Sequence, residues 1–288
     1  MLYLVHRPTA PLSRFVQNLW LLSDAPPHGR ERILPSGTFE LVINLHQDEF
    51  RIYASAEADE HRCFTGAMVS GAYCRPFVID THEHTAVIGA HFRPGGAFPL
   101  LGTPANLFSD SHVDMETLWG PRARELRERL CAAETAAERF RILEAALLAC
   151  LARPARSHAA VQVALLQLIK TGSRVRDVVA QVGLSQRRFI ELFSAEVGMT
   201  PKLYARVRRF QRAVALARMS PSPDWGALAL SCGYFDQSHL IGDFAAFSDF
   251  SPVELARHFG DRVKENHLAL PGVGSNFSKT RTTAARNY

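Results

Sequence analysis

The 288 residues are 47% hydrophobic and 21% charged and carry a formal net charge of +5 at pH 7, a composition that has room for two folded domains and excludes wholesale disorder. No apolar run reaches the ~18–20 residues that cross a bilayer, the N-terminus lacks the order of a secretory signal, and the five cysteines form no Cys-x-x-Cys pair. We therefore expect a cytoplasmic protein without a membrane span, a disulfide framework or a structural zinc site.

Short β-branched and aromatic runs dominate the chain from Leu2 to about Val113. Phe39–Leu45 and Ala86–Phe92 are examples, and turn-forming sequences such as Pro94-Gly-Gly separate these runs. No helical period continues between the turns. The pattern predicts a small β-rich, barrel-like domain.

Helical periodicity begins after these strands. Leucines at three- and four-residue steps predict helices over Pro121–Ala133 and Ala136–Arg153, and these helices cap the domain or join two chains. Pro154–Ser157 interrupts the pattern and marks the domain boundary, after which a further helix is predicted over His158–Lys170. The N-terminal domain is therefore expected to span residues 1–153.

The last third of the chain contains an internal repeat, which decides its architecture. Val178–Phe193 matches Leu228–Phe244, and each segment has a short apolar helix, a glycine and a second helix with apolar residues four apart. A helix-turn-helix needs these three parts. In both copies an oxygen-bearing residue, Ser185 or Asp236, stands at the N-cap of the second helix, whose N-terminal end favours phosphate. The segment from 158 to 260 is thus predicted to be an all-α domain with two helix-turn-helix units.

A single linker helix is predicted between the two copies, over Lys202–Arg218. Its apolar residues lie on one face and its arginines on the others; the apolar residues are Leu203, Val207, Phe210, Val214 and Leu216. Residues 261–288 are polar and rich in turn formers, and we expect a disordered basic tail there. The whole chain is therefore assigned to the α+β class.

The positive charge is concentrated in the first helix-turn-helix copy and the linker. Residues 174–218 carry 10 basic and 3 acidic side chains, whereas residues 219–260 carry 1 basic and 5 acidic side chains. A basic stretch is often only a solvated helix face, but on a helix-turn-helix it favours binding to a polyanion.

A set of signature residues accompanies the tandem units over about Val163–Phe259: Gly183-Leu-Ser, Phe193, Gly198-Met-Thr-Pro201, Tyr204, Arg208, Ala213, Ala229, Cys232-Gly-Tyr, Asp236-Gln-Ser-His, Phe244 and Ser251-Pro252. With these residues the chain resembles the AraC/XylS family of transcriptional regulators. The resemblance implies that two recognition helices enter successive major-groove segments of double-stranded DNA, at a separation set by the linker helix. It also implies DNA contacts from Ser185, Gln186, Arg187, Arg188, Ile190, Glu191, Arg208, Gln237, Ser238, His239 and Ile241.

The second recognition helix departs from the family pattern. A basic residue is usual in the family where Gly242 stands, basic residues are common near Ala245 and Ala246, and a glycine is usual at Asp249. Together with the acidic charge count, this departure predicts that the first unit contributes most of the DNA affinity.

The N-terminal phrases Ile33-Leu-Pro-Ser-Gly, Glu40–Asn44, Phe64-Thr-Gly and Phe92–Ala97 resemble N-terminal domains of one uncharacterised branch of the family. The resemblance names no ligand. A β-barrel has a mouth suited to a small molecule, and Trp20, Phe39 and Arg93 are candidates for binding one. The alternative is that the aromatic residues are core residues and that Arg93 braces a turn.

His82-Glu-His84 is the one pattern that suggests metal chemistry. On a strand, both imidazoles would share a face, and His91 follows a strand's length later. The acidic ligand that normally follows such a pair in a metal cupin is missing, and no nucleophile elbow, phosphate loop or His-Glu-x-x-His motif is present. We therefore expect no metal, no cofactor and no catalytic residue.

The sequence thus predicts a sequence-specific transcription regulator whose N-terminal domain binds a small-molecule effector or mediates dimerisation. RNA polymerase is an expected partner if the protein is an activator. A metal-dependent cupin-type enzyme fused to a DNA-binding module is the alternative. A third hypothesis makes the N-terminal domain a dimerisation module without a ligand.

Overall fold

The computed structural model describes residues 1–151, 157–170, 175–259 and 266–270. Their strands are β1 Leu2–His6, β2 Val16–Ser23, β3 Arg30–Ile33, β4 Glu40–Asn44, β5 Phe50–Tyr53, β6 His61–Phe64, β7 Ala67–Ser70, β8 Phe77–Asp80, β9 Val87–Phe92, β10 His112–Asp114 and β11 His267–Ala269. Their helices are α1 Phe98–Leu101, α2 Met115–Trp119, α3 Pro121–Ala132, α4 Ala136–Leu151, α5 Ala159–Lys170, α6 Val175–Val182, α7 Gln186–Val197, α8 Pro201–Arg218, α9 Trp225–Ser231, α10 Gln237–Ser248 and α11 Pro252–Arg257. None of these helices is long and apolar enough to cross a membrane.

The predicted β-rich N-terminal domain is confirmed, and its strands form two open sheets rather than a closed barrel. One sheet has the order β1-β2-β9-β4-β7-β10 and the other has the order β11-β3-β8-β5-β6. Every strand pair is antiparallel.

The central strand β4 shows why the six-stranded sheet is buried on both faces. Leu41 and Ile43 belong to the large core that continues into the helices, whereas Val42 packs with Trp20 and residues of the five-stranded sheet. Successive side chains of a strand point to opposite faces, so a strand whose three middle residues are all apolar fits between two layers. The five-stranded sheet covers one face and the helices cover the other.

The helices after the sheets lie where the periodicity predicts them. The predictions over 121–133 and 136–153 correspond to α3 and α4, and the prediction over 158–170 corresponds to α5. Residues 152–156 lie outside the described residues, so the boundary predicted at 154–157 and the domain limits that depend on it stay predictions.

The linker helix α8 is continuous, as predicted, but its buried face differs by one residue from the predicted one. Val207, Phe210 and Val214 are buried, whereas Leu216 is exposed and Ala217 takes its place in the core. Positions 207, 210, 214 and 217 follow the three- and four-residue steps of one helix face. Leu216 lies about 100° away from that face and points toward solvent.

The expectation of disorder over 261–288 is wrong for the short segment that the structure describes there. Residues 267–269 form β11, which pairs antiparallel with β3 at the edge of the five-stranded sheet. Leu268 is fully buried, and its burial offsets part of the entropic cost of ordering the strand. Residues 261–265 and 271–288 lie outside the described residues.

Burial of His112 makes the stability of the N-terminal domain dependent on pH. His112 in β10 is buried, its Nδ1 lies 2.5 Å from the Tyr73 hydroxyl, and burial lowers its pKa from 6.5 to about 3. The unfolded chain takes up a proton below pH 6.5 and the folded chain does not, so this stability is complete above pH 6.5 and decreases below it. We expect His112 by itself to lower the free energy of unfolding by about 2 kcal/mol at pH 5.

Urea unfolding at pH 7.5 and pH 5 tests this expectation. Burial raises the pKa of Glu83 to about 7, so this carboxyl makes the fold more stable as the pH falls and opposes the effect of His112. Relative to the wild type, His112→Gln should therefore shift the stability at pH 5 minus that at pH 7.5 by about +2 kcal/mol, whereas His82→Gln, at an exposed site, should leave this difference unchanged. An equal pH dependence in both variants would contradict the assignment to His112.

Candidate DNA-binding surface

Two units of the same construction stand in the C-terminal domain. The first unit comprises α6 and α7, the second unit comprises α9 and α10, and a glycine joins the helices of each. Gly183 and Gly233 have φ of +67° and +82°, a left-handed conformation in which glycine carries no steric penalty. The predicted turns are therefore confirmed.

The recognition helices α7 and α10 begin at the predicted N-caps. The Ser185 hydroxyl accepts a hydrogen bond from the Arg188 backbone N–H, and the Asp236 carboxylate accepts one from His239. Each cap satisfies one of the free amides of the first turn and leaves others available to a phosphate.

The buried faces of the recognition helices are those that the repeat predicts. Phe189 and Phe193 of α7 are fully buried, as are Leu240 and Phe244 of α10. Phe193 packs against Tyr204 of α8, and Phe244 packs against Phe210 of α8 and Trp225 of α9, so the buried faces hold the recognition helices against α8.

The outward face of α7 carries the cations predicted to contact DNA. The Arg187 side chain is 91% exposed and the Arg188 side chain is 61% exposed; their guanidinium nitrogens lie 3.0 and 3.6 Å from Glu191 carboxylate oxygens. Exposed pairs of this kind are worth less than ~1 kcal/mol. Both arginines can therefore leave Glu191 for a phosphate or a base edge at little cost.

The outward face of α10 is uncharged at the corresponding positions. Gln237, Ser238, His239 and Ile241 are all exposed, so the face is open. It offers amide, hydroxyl and imidazole groups but no arginine or lysine, which weakens its attraction for the DNA backbone.

Part of the positive charge of the linker helix is already used inside the protein. Asp243 of α10 is buried, and its carboxylate lies 2.6 Å from Arg206 Nη2 and 3.5 Å from Arg209 Nη2. A buried carboxylate needs such partners. These arginines therefore fasten the second unit to α8, a role that the charge count of the sequence does not reveal.

Arg208, predicted from the family to contact DNA, lies against the N-terminal domain. Its Nη1 is 3.5 Å from the backbone oxygen of Ser36, and the neighbouring Gln211 side chain donates to the backbone oxygen of Pro35 at 2.6 Å. The DNA contact of Arg208 therefore stays a prediction.

Gly242 occupies the position on α10 that corresponds to Glu191 on α7, and a Cβ atom added there meets no atom within 4 Å. We expect Gly242→Arg to strengthen DNA binding and to steepen its salt dependence by about one phosphate contact, a change of ~0.9 in slope. Affinity measured over a range of salt concentrations checks this. Gly242→Ala is the matched control, because it stabilises the helix by about 1 kcal/mol without adding charge; equal slopes for the two variants would place residue 242 away from the DNA.

The three N-terminal residues predicted to bind a ligand have different environments. Trp20 is buried between the two sheets, and Phe39 is buried beside Gly198 of the C-terminal domain. Arg93 Nε donates a hydrogen bond to the backbone oxygen of Ser13 at 2.8 Å, the turn-bracing role that the sequence left open. The structure does not bring these three residues into one site.

The histidines considered for metal binding do not lie on one strand. His82 belongs to a short 3-10 helix, Thr81–Glu83, that follows β8, and His84 lies just beyond it, whereas His91 is in β9 of the other sheet. Their nearest acidic or carbonyl partners are Asp80 for the first two and Glu40 for His91. The alternating geometry on which the metal hypothesis depended is therefore wrong. Among the described residues, no group of three His, Cys, Asp or Glu side chains is arranged to hold a metal ion.

A cleft of about 2030 Å³ opens between the two domains, a feature that the sequence analysis missed. The N-terminal domain contributes Tyr73, Phe77 and His91 to its wall, and α8 contributes basic residues such as Arg212. These residues come from distant parts of the sequence, so no local pattern indicated the cleft.

Comparison with known proteins adds three findings. Residues 178–258 match the family described as a helix-turn-helix domain, and residues 4–114 match a domain family of unknown function. A comparison with curated proteins finds no significant match. All residues predicted to contact DNA lie inside the helix-turn-helix match.

Among solved structures, the chain is similar to ToxT from Vibrio cholerae. The crystal structure of ToxT from strain O395 gives a TM-score of 0.42 at 9% sequence identity and covers 85% of this chain and 97% of ToxT. The structure of wild-type ToxT from strain SCE256 bound to an unsaturated fatty acid gives a TM-score of 0.44 at 8% identity and covers 91% of this chain and 97% of ToxT.

Proposed function

We propose, from the premise that residues 178–258 form the AraC-type helix-turn-helix domain of a DNA-binding transcription regulator, that α7 and α10 contact successive major-groove segments of one specific DNA site. The observation that carries the proposal is the repeated construction of the two units, in which each recognition helix has a capped, exposed first turn and a buried aromatic face. Arginine and glutamine side chains on such a turn can reach base edges in a major groove.

Selection of bound sequences from a randomised duplex pool by the full-length protein tests this proposal. An enriched motif of about 20 base pairs means that both units engage the DNA, because successive groove segments lie about 10 base pairs apart. A motif of about one turn means that the first unit alone recognises sequence. No enrichment, with or without added effector, would contradict sequence-specific binding.

We propose further that the N-terminal domain controls this binding through a small-molecule effector. The cleft between the domains supports this, because a ligand there touches both the sheets and the linker helix. A thermal-shift screen tests it, since a ligand of the folded state raises the melting temperature. If no ligand is found and the protein is dimeric in solution, dimerisation through α3 and α4 becomes the favoured role of this domain. RNA polymerase is a partner if the protein is an activator.

The proposal treats the chain as a regulator without enzymatic activity, located with its DNA in the cytoplasm. The separation of His82 from His91 between two sheets argues against the cupin-type enzyme. Metal analysis of the purified protein tests the alternative, which a stoichiometric bound ion would restore.

A further inference from the structure

The N-terminal domain contacts both helix-turn-helix units. At the first unit, the Ser109 hydroxyl donates a hydrogen bond to the backbone oxygen of Gly198, which ends α7, and Phe39 packs beside the same glycine. At the second unit, Arg32 of β3 reaches the end of α10. The N-terminal domain therefore contacts the two units at separate points.

The contact at the second unit centres on the buried guanidinium of Arg32. Its Nη1 donates hydrogen bonds to the Ser248 backbone oxygen at 2.7 Å and to the Asp249 carboxylate at 2.9 Å, and the group lies 4.6 Å from the centre of the Phe250 ring. The Arg32 side chain is only 9% exposed. A buried guanidinium that loses its acceptors destabilises the fold. We therefore treat the contact as part of the interdomain packing and not as an incidental surface pair.

Asp249 is the residue at which the family resemblance leads one to expect glycine. It ends α10 with φ of +59°, a left-handed conformation that costs a non-glycine residue about 1 kcal/mol or more. Glycine would avoid this cost but would provide no carboxylate. Compared with glycine, the aspartate at this position adds an ion pair with Arg32 of the N-terminal domain.

The chain beyond the second unit returns to the same strand of the N-terminal domain. Leu268 of β11 stands opposite Arg32 of β3. Two backbone hydrogen bonds extend the pairing: the Leu34 N–H donates to the Asn266 oxygen at 2.9 Å, and the Leu270 N–H donates to the Arg30 oxygen at 3.0 Å. His267 adds a side-chain contact with Glu31 at 2.6 Å. The second unit is therefore tied to β3 from two sides.

We propose that the Arg32–Asp249 pair and β11 together form a latch that fixes the second unit relative to the first and so sets the affinity for DNA sites that engage both units. The latch leaves the DNA-facing residues Gln237, Ser238 and Ile241 exposed, so it positions the second unit without covering it. A unit with few cations gains little from electrostatic attraction; its contribution depends on being held in place before binding, which lowers the entropic cost of engagement. This inference rests on the proposed DNA-binding function.

The test compares Asp249→Gly with a matched control in the full-length protein. Asp24 is also an exposed aspartate in the left-handed region, with φ of +53°, so Asp24→Gly removes the same charge and the same strain away from the latch. Two duplexes serve as probes: the site selected from the random pool, and a shortened form that keeps only the segment footprinted by the first unit. We expect Asp249→Gly to bind the long duplex at least tenfold more weakly than Asp24→Gly does, and the short duplex equally well.

Leu268→Asp provides a second variant with the opposite change in charge. It should expel β11 from the sheet edge and weaken binding to the long duplex alone, as Asp249→Gly does. Tighter binding of the long duplex by either variant would show that the latch restrains the second unit, and unchanged binding by both would show that it has no role; either result overturns the proposal. If the wild type binds neither duplex, the result would instead contradict the proposed function.

Hydrogen exchange separates the latch itself from its effect on DNA binding. In the protein without DNA, the Leu34 and Leu270 amides should exchange slowly in the wild type and in Asp24→Gly, and faster in Leu268→Asp. Fast exchange of both amides in the wild type would overturn the latch independently of any DNA measurement.

Discussion

Replacing Arg187 and Arg188 together by alanine should nearly abolish specific DNA binding. Both side chains are exposed on the first turns of α7, and only weak surface pairs with Glu191 hold them in the free protein. A well-placed arginine contact to a base is worth about 1–3 kcal/mol, so the loss of two should make the double variant bind its selected site about 30-fold to 20,000-fold more weakly. Fluorescence anisotropy at fixed salt measures the loss.

Two further double variants make this result interpretable. Arg7→Ala with Arg14→Ala removes the same charge from exposed positions of the N-terminal domain and should leave specific binding nearly unchanged. Gln237→Ala with Ser238→Ala should cost much less than the arginine pair, because the second unit lacks cations at its DNA-facing turn. Equal losses from the two helix-turn-helix pairs would contradict the unequal division of affinity between the units.

Gly198→Ala should destabilise the protein by about 2–5 kcal/mol. Gly198 ends α7 with φ of +88°, and a Cβ atom there would lie 2.8 Å from Phe39 Cε2 and 3.1 Å from the Ala72 Cβ. The left-handed conformation costs alanine about 1–2 kcal/mol, and overpacking against the N-terminal domain adds about 1–3 kcal/mol. Urea unfolding followed by circular dichroism measures the change in the free energy of unfolding.

Gly183→Ala is the matched control for this prediction. Gly183 has φ of +67°, and an added Cβ meets no atom within 4 Å, so the variant carries the conformational cost alone. The excess loss in Gly198→Ala should decrease when Phe39→Leu is added, because the smaller side chain makes room. If the two glycine variants are equally stable, the domains do not pack at Gly198 in solution.

The outer face and the C-terminal end of α7 have different roles. Its outer face determines DNA affinity, and its end determines how the first unit rests on the N-terminal domain. Because Phe39 lies at that junction, it contributes to domain packing, whereas the cleft offers the larger space for an effector.

The sequence by itself determined the parts of this protein that depend on nearby residues. Gly183 and Gly233, the caps Ser185 and Asp236, and the apolar steps of α7 and α10 all act within a few turns of helix, so their pattern predicts the tandem units directly. Strand signals such as Phe39–Leu45 work in the same way, because alternation is a property of each strand. Those signals gave a β-rich domain, but the arrangement of its strands into two open sheets depends on which distant segments pair.

Only the tertiary structure decided the features that join distant residues. Arg32 and Asp249 are 217 positions apart, and β11 is a three-residue strand that pairs with the distant β3. Tertiary packing also pairs Asp243 with Arg206 and Arg209. It likewise places His82 and His91 in different parts of the fold. Local periodicity states which face of an element is apolar, whereas the partner of each face is fixed by packing of the whole chain.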